Sequence, residues 1–521
     1  MSSETLQTSC IEVSNLPLSL EQFREVLFGN GKVELSAEAL ENVEACYGFL
    51  QRFAEGKVIY GINTGFGSMA QHKINDADQR QLQLNLIRSH CSGSGETLEP
   101  VYVKSIMLVR LATLMLGYSG IHPDAVKLLA EMVNHEICPE IFEHGSVGAS
   151  GDLVQLAHLG LSLIGEGKVK FNGVVCETSE AFAKAGISPL EIHGREGLAV
   201  MNGTAAMTGI GLVNLIHAKN LTNWVLTASV MINEIVESYD DHFSEELNAV
   251  KHHKGQQTVA AIMRQLAGNS KRIRRREEWL YNGKSEEAIK KSKVQEYYSV
   301  RCVPQIAGPI LDTLGNIERV LLEEVNSVND NPVIDRKNNN VFHGGNFHGD
   351  YIALEMDKLK LVMTKLTILA ERQLNFLLND KLNNILPPYV NLGTLGLNFG
   401  MQGLQFTATS TTAENQTLAN PMYVHSIPNN NDNQDVVSMG ANASMLAKKV
   451  IENGFQVVAI ELVAIIQAID FLKCQNDLSE NSQRIYTQLR EIVPVFSDDL
   501  PQYTVLSKVK EHLQNHQLNL V

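Results

Sequence analysis

The stretch "LTNWVLTASVMINEI", Leu221 to Ile235, carries apolar side chains at Leu221, Val225, Ala228, Ile232 and Ile235. Steps of four and three residues place all five on one stripe of an α-helix, because a turn takes about 3.6 residues. The rhythm recurs at Leu359, Val362, Leu366 and Leu369, and Gln373 interrupts it before Phe376. A third segment, Met445 to Leu472, is apolar on almost every face, as a helix enclosed by others is, and carries Glu461 near its middle. That acid reads as a buried group satisfied by its neighbours. Long helices of this kind predict a mainly α chain built on a long-helix bundle.

Outward from the first helix, helical character sets in near Met207. The preceding residues are more mixed, with an expected strand at "KVIYGI" (57–62) running into "NTGFGSMA", and helical patterns at Val103 to Leu116 and Pro123 to Asn134. The expected division is a mixed N-terminal part over 1–206, a central bundle over 207–475 and a C-terminal helical segment over 476–521. Polar, turn-rich segments interrupt the helices: "NSVNDNPVIDRKNNN" (326–340), "FHGGNFHGD" (342–350) and "SIPNNNDNQD" (426–435). Such loops carry chemistry more often than helix interiors do.

The bulk properties narrow the partners. A length of 521 residues exceeds one compact core, and 44% hydrophobic with 19% charged residues is a globular composition. A net charge of -15 opposes binding to nucleic acid or anionic membranes, which leaves small molecules. The basic run "KRIRRREEW" (271–279) has acids directly after it and lysine/glutamate alternation in "KSEEAIKKSK" (284–293), so it reads as a solvated or intersubunit charged face. Seven scattered cysteines without a C-x-x-C pair read as reduced thiols of a cytoplasmic protein. The N-terminus lacks the charged and apolar regions of a signal peptide, and no window holds eighteen uninterrupted apolar residues; neither export nor membrane spanning is expected.

Several motifs resolve into ordinary turns. Gly65-Phe66-Gly67 imitates a dinucleotide fingerprint but lacks the acid about twenty residues on, so a tight turn is expected. His343 with His348, and His252 with His253, lack metal-ligand spacing, and no metal is expected. In "HGSVGASGDLVQ" (144–155), Asp152 stands where a nucleophile elbow needs its last glycine, and the surroundings do not read as strand, turn and helix.

Ala149-Ser150-Gly151 suits a different chemistry. Glycine offers an unhindered backbone nitrogen, alanine a carbonyl it can approach, and serine a hydroxyl that can leave by β-elimination. Cyclisation with dehydration would give a five-membered ring bearing an exocyclic methylene, an electrophile made from backbone. Taken alone, the tripeptide also fits a plain glycine turn.

Five segments in order carry a resemblance: "YGINTGFG" (60–67), "GSVGASGDL" (145–153), "GLAVMNGT" (197–204), "QEYYSVRCVPQ" (295–305) and "GGNFHGD" (344–350). Together they resemble the aromatic amino acid ammonia-lyase and aminomutase family, whose electrophile is this 4-methylidene-imidazol-5-one (MIO). The resemblance implies the helical fold of the aspartase and histidine ammonia-lyase superfamily. It implies MIO formed autocatalytically from Ala149, Ser150 and Gly151, with no external cofactor. It also implies a homotetramer with shared active sites and no nucleic-acid or membrane partner.

Residue roles follow by the same resemblance. Tyr60 is the base that takes the β-proton, and a phenol with an ordinary pKa of about 10 would need its surroundings to depress it; its other reading is an aromatic loop anchor. Arg301 binds the substrate carboxylate through its guanidinium fork, or else makes a structural ion pair. Asn202 and Tyr298 hydrogen-bond the electrophile and assist its formation, although Asn202 also fits a cap of the helix that begins nearby. Gln295, Phe347, Gly67 and Leu153 surround the substrate, with plain core as the other reading of Phe347. Glu414, Asn433 and Gln434 reach the site from the later polar loops.

Substrate choice rests on Ser89-His90 in "IRSHCSG" (87–93), which matches the family's selectivity region. A histidine there can bond a phenol or an imidazole, and disfavours phenylalanine, which offers no partner. The Ser-His order resembles histidine enzymes, whereas "NDNQDVVSMG" (431–440) looks like the tyrosine and phenylalanine branch. The motifs taken together are especially similar to tyrosine ammonia-lyases of flavobacterial type. The expectation is therefore tyrosine to p-coumarate plus ammonia. Histidine to urocanate, a tyrosine 2,3-aminomutase and a catalytically silent scaffold stand as alternatives.

Overall fold

The computed structural model describes residues 9–281, 289 and 293–521, so nearly all of the lysine/glutamate alternation at 284–293 lies outside the described residues. The fold is mainly helical, at 59% of the chain. Its longest helices are Ala205–Ile235, Val303–Val325, Asp350–Leu378 and Gly440–Leu472. All five stripe residues from Leu221 to Ile235 are buried. The expected helices near 103 and 123 are Pro100–Met115 and Pro123–Asn134, each opened by a proline whose fixed φ and missing N–H suit a first turn.

By its internal contacts the chain groups into two units. One comprises Met1–Leu215, Ile317–Asp357 and Pro421–Lys448; the other comprises Ile216–Asn316, Lys358–Asn420 and Lys449–Val521.

The second unit is helical, and polar side chains fix the register of its helices. Asn415 Nδ2 donates to the Val450 carbonyl at 3.0 Å and to Thr367 Oγ1 at 3.2 Å, while Asn453 Nδ2 donates to Asn415 Oδ1 at 2.9 Å. Gln373, the interruption in its stripe, donates to Ser229 Oγ at 2.9 Å and to the Ser299 carbonyl at 2.8 Å. Among the described residues, Gly440–Leu472 is the one helix long and apolar enough to cross a membrane, and 78% of its apolar window is buried inside the protein. Glu461 departs from expectation: it is fully buried, neither carboxylate oxygen has a hydrogen-bond partner, and burial pushes its pKa well above the usual carboxylate value. Its surroundings satisfy its volume, not its polarity.

The basic run is in part the solvated face expected, with Lys271, Arg275, Glu277 and Glu278 exposed, while Arg272, Arg274 and Arg276 are half-buried and bonded within the chain. Arg272 donates to the carbonyls of Glu234 and Ile235 at 2.9 and 3.2 Å, closing the C-terminus of the helix Ala205–Ile235. Arg274 pairs with Glu237, and Arg276 reaches both carboxylate oxygens of Asp241 at 2.6 and 3.2 Å.

Among the described residues, the first unit holds every strand. Cys10–Val13 pairs in parallel with Lys32–Leu35, Ser94–Thr97 in antiparallel with Phe142–His144, and Cys138–Pro139, Lys168–Phe171 and Val174–Glu177 form a three-stranded sheet. A hairpin, Val333–Asp335 with Asn340–Phe342, lies within the polar segment at 326–342. The expected strand at 57–62 is absent. Asn63 explains why: its side chain accepts from Ile59 N–H at 2.8 Å and donates to the Lys57 carbonyl at 2.7 Å, occupying groups a ladder would need. The segment turns at Tyr60 instead, and Gly67–Met69 forms the tight turn expected of the glycine pair.

Candidate active site

The tripeptide lies between the strand Phe142–His144 and the helix Leu153–Leu163. The local order is thus strand, turn and helix after all, but the strand belongs to a two-stranded antiparallel pair. Both flanks are held. Before the tripeptide, the Val147 carbonyl accepts from Met439 N at 3.0 Å, and the Gly148 carbonyl accepts from Gly349 N at 3.1 Å and Ser438 Oγ at 3.0 Å. After it, Asp152 N donates to the Gly203 carbonyl at 2.8 Å. Gly151 sits at φ +70°, bridged to Gly203, and an added Cβ would overlap the Gly203 carbonyl oxygen; no other residue fits there.

The reacting groups of the tripeptide are presented individually. Asn202 Nδ2 donates to the Ser150 carbonyl at 3.0 Å, and Gln434 Nε2 donates to Ser150 Oγ at 2.8 Å. Asn202 Oδ1 is buried without a partner. Asn202 ends the helix Glu196–Met201 and turns its side chain onto the tripeptide, so it does not cap the helix that follows. The Gly151 N–H makes no hydrogen bond among the described residues.

Asp152, which in sequence only breaks an elbow motif, is a structural anchor of the site. It is fully buried, accepts from Ser146 Oγ at 2.7 Å and from Met207 N at 2.8 Å, and burial raises its pKa to about 6 against those bonds. An acid directly before an apolar helix is the available signal for a cap. Here it serves the first turn of a different helix, Ala205–Ile235.

A cavity of about 1080 Å³ opens over the tripeptide, lined by Ser150, Gly151, Leu153 and Asn202. Tyr60 and Gly67 line it from the turn that replaces the expected strand, with Gly67 N–H donating to the Tyr60 hydroxyl at 3.3 Å. Asn433 and Gln434 enter on a tight turn in which Asn430, Asn431 and Asp432 all have positive φ, a conformation that Asn and Asp tolerate best among residues with a side chain. Asn430 packs against Gly67. Phe347 lines the cavity half-buried, which replaces its plain-core reading.

Ser89 and His90, at the end of the helix Gln79–His90, also line the cavity. His90 Nδ1 lies 2.9 Å from the Leu86 carbonyl. A carbonyl only accepts, so we assign the hydrogen to Nδ1 and leave Nε2 as an acceptor. His343, dismissed as a metal ligand, lines the same cavity with its ring 6.4 Å from that of Tyr60. Burial and, less, the Arg195 charge lower its pKa.

Ala149 is buried and does not line the cavity. Gln295, Tyr298 and Arg301 line a different cavity of about 630 Å³. There the Arg301 guanidinium stacks on the Tyr298 ring at 4.9 Å and makes no ion pair among the described residues. Glu414 belongs to the helix Gln402–Leu418, not to a loop, and accepts from Asn453 Nδ2 at 2.6 Å.

Residues 18–491 match the family model for aromatic amino acid lyases. A tyrosine 2,3-aminomutase of Myxococcus sp. (strain Mx-B0) is 40% identical over 500 residues, covering 94% of this chain and 95% of that one. A histidine ammonia-lyase of Shouchella clausii is 36% identical over 483 residues, covering 92% and 93%. Among solved structures, a tyrosine aminomutase from Streptomyces globisporus aligns with a TM-score of 0.92 at 34% identity, covering 97% of this chain and 96% of that one.

Proposed function

Because the chain belongs to the aromatic amino acid lyase family, we propose that it is an ammonia-lyase that converts tyrosine to p-coumarate and ammonia. The observation that carries this reading is the single cavity shared by Ser150, Tyr60 and His90. The tripeptide fits conversion to MIO: the Gly151 nitrogen is unengaged, Gln434 bonds the hydroxyl that must leave, and Gly203 excludes any side chain at 151. The ring would be held by Asn202 through the former Ser150 carbonyl. Such a ring supplies an electrophilic methylene that turns the substrate's amino nitrogen into a leaving group.

The remaining work belongs to ordinary side chains. Tyr60 removes the β-proton. His90 Nε2 accepts the phenol O–H of tyrosine, and phenylalanine would leave that acceptor unpaired. Arg301, stacked on Tyr298 and without an anionic partner among the described residues, binds the carboxylate in the site of another copy of the chain, so the working form is a homotetramer with shared sites. Gln295 and Glu414 belong to the same contribution. Seven free cysteines support a reducing, cytoplasmic setting.

Tyrosine is preferred to histidine because Val436 stands where histidine enzymes typically carry a histidine, and because tyrosine 2,3-aminomutases are among the similar proteins. Parallel rate measurements with tyrosine, histidine and phenylalanine test the assignment; a clear preference for histidine overturns it. Similarity to tyrosine 2,3-aminomutases favours a second reading, in which ammonia re-adds at the β-carbon before product escapes. Chromatography of the tyrosine reaction separates the two: p-coumarate supports the lyase and β-tyrosine the mutase.

A further inference from the structure

The segment facing the tripeptide is itself held from behind, by residues that do not line the cavity. Arg110 Nη1 donates to Asn329 Oδ1 at 3.1 Å, Asn329 Nδ2 donates to Thr204 Oγ1 at 2.9 Å, and Thr204 Oγ1 donates to Glu324 Oε1 at 2.5 Å. A guanidinium only donates, and the Thr204 hydroxyl has one hydrogen, so the bonds run in one direction and each fixes the next. Arg110, Asn329 and Thr204 are at most 1% exposed. Arg110 also donates to the Ala199 carbonyl, and Asp330 lies 3.9 Å from it and 3.1 Å from Arg195.

Gly203 lies against this chain of bonds. A Cβ at that position would overlap Arg110 Nη1 and Asn329 Oδ1, so the backbone rests directly on the two side chains. The same residue bridges Gly151 and accepts from Asp152 N. Its placement therefore fixes the C-terminal edge of the tripeptide.

We propose that the Arg110–Asn329–Thr204–Glu324 chain positions Gly203 against Gly151 and so sets the rate at which the tripeptide closes into its ring. The proposal rests on the reading of Ala149-Ser150-Gly151 as the precursor of MIO. Closure forms a bond from Gly151 N to the Ala149 carbonyl carbon. One water carries away the Ala149 oxygen with the amide hydrogens of Gly151 and Ser150; a second carries away the Ser150 hydroxyl with its Cα hydrogen. No oxidant or reductant is needed. An intramolecular attack of this kind is sensitive to misplacement of the nucleophile by about 1 Å. The four side chains are positioning residues for maturation.

Thr204→Val keeps the shape while removing both hydrogen bonds, and Thr204→Ser keeps the hydroxyl. The readout is intact mass, followed over time after a pulse of synthesis, as the fraction of chains that have lost two waters. Wild type and Thr204→Ser should close at similar rates, and Thr204→Val about tenfold or more slowly, with an unchanged circular dichroism spectrum. If Thr204→Val does not fold, Asn329→Ala carries the same expectation. Closure of the folded variant at the wild-type rate overturns the proposal. A wild-type chain that never loses two waters overturns the MIO reading itself, so the two failures are distinguishable.

Discussion

His90 and Asp152 show what a single residue contributes here. With Nδ1 committed to the Leu86 carbonyl, His90 presents one acceptor to the cavity. His90→Phe should shift preference from tyrosine toward phenylalanine by about tenfold or more in relative kcat/KM, since an unpaired buried acceptor costs about 1–3 kcal/mol. Unchanged tyrosine selectivity would remove His90 from that role. Asp152 has a measurable signature in stability. Burial raises its pKa from 3.8 to about 6, so between roughly pH 4 and 6 the folded chain holds a proton that the unfolded chain has lost. Stability from this group is therefore greatest at low pH and falls as pH rises through that window, by roughly 3 kcal/mol in full. Thermal midpoints of wild type and Asp152→Asn should diverge in the variant's favour from pH 4 to 7; a constant difference would show that Asp152 does not titrate there. Tyr60, the tripeptide and His90 were legible because each sits in a short, distinctive motif. Asp152 was not, since its partners Met207 and Ser146 are set by folding.

At the level of elements, periodicity located the long helices but not the states of their polar residues. Gln373 and Glu461 look alike in sequence, as polar residues set among apolar ones. Gln373 finds Ser229 and the Ser299 carbonyl, whereas Glu461 finds nothing, and only the neighbouring helices decide which. The strand expected at 57–62 failed for a related reason: β-branched residues signal a strand, but one asparagine side chain took the backbone groups first. Glu461→Met preserves approximate volume and removes a carboxyl that was desolvated without compensation. We expect it to stabilise the fold by about 1–3 kcal/mol, read as a higher thermal midpoint, with Glu461→Gln gaining less. A drop in midpoint for Glu461→Met would mean that this carboxyl is satisfied in the working protein.

For the whole molecule, the motifs at 60–67, 145–153, 197–204 and 344–350 converge on one cavity, while 295–305 supplies another lined by Tyr298 and Arg301. Sequence order carries no trace of that partition, because a motif names a residue's chemistry without naming the copy of the chain it serves. If Arg301 completes the site of a second copy, two separately inactive variants should rescue each other. Ser150→Ala lacks the serine for the ring and Arg301→Ala lacks the carboxylate clamp, so each alone should lose nearly all activity. In assemblies formed by co-expressing the two, a site that draws its ring from one chain and its arginine from another is intact when both happen to be unmodified. Random mixing makes that roughly one site in four. Activity of mixed, tag-purified assemblies near a quarter of wild type supports sites shared between chains. Mixed assemblies as inactive as their parents would place Arg301 in the service of its own chain, and the carboxylate would need a different partner.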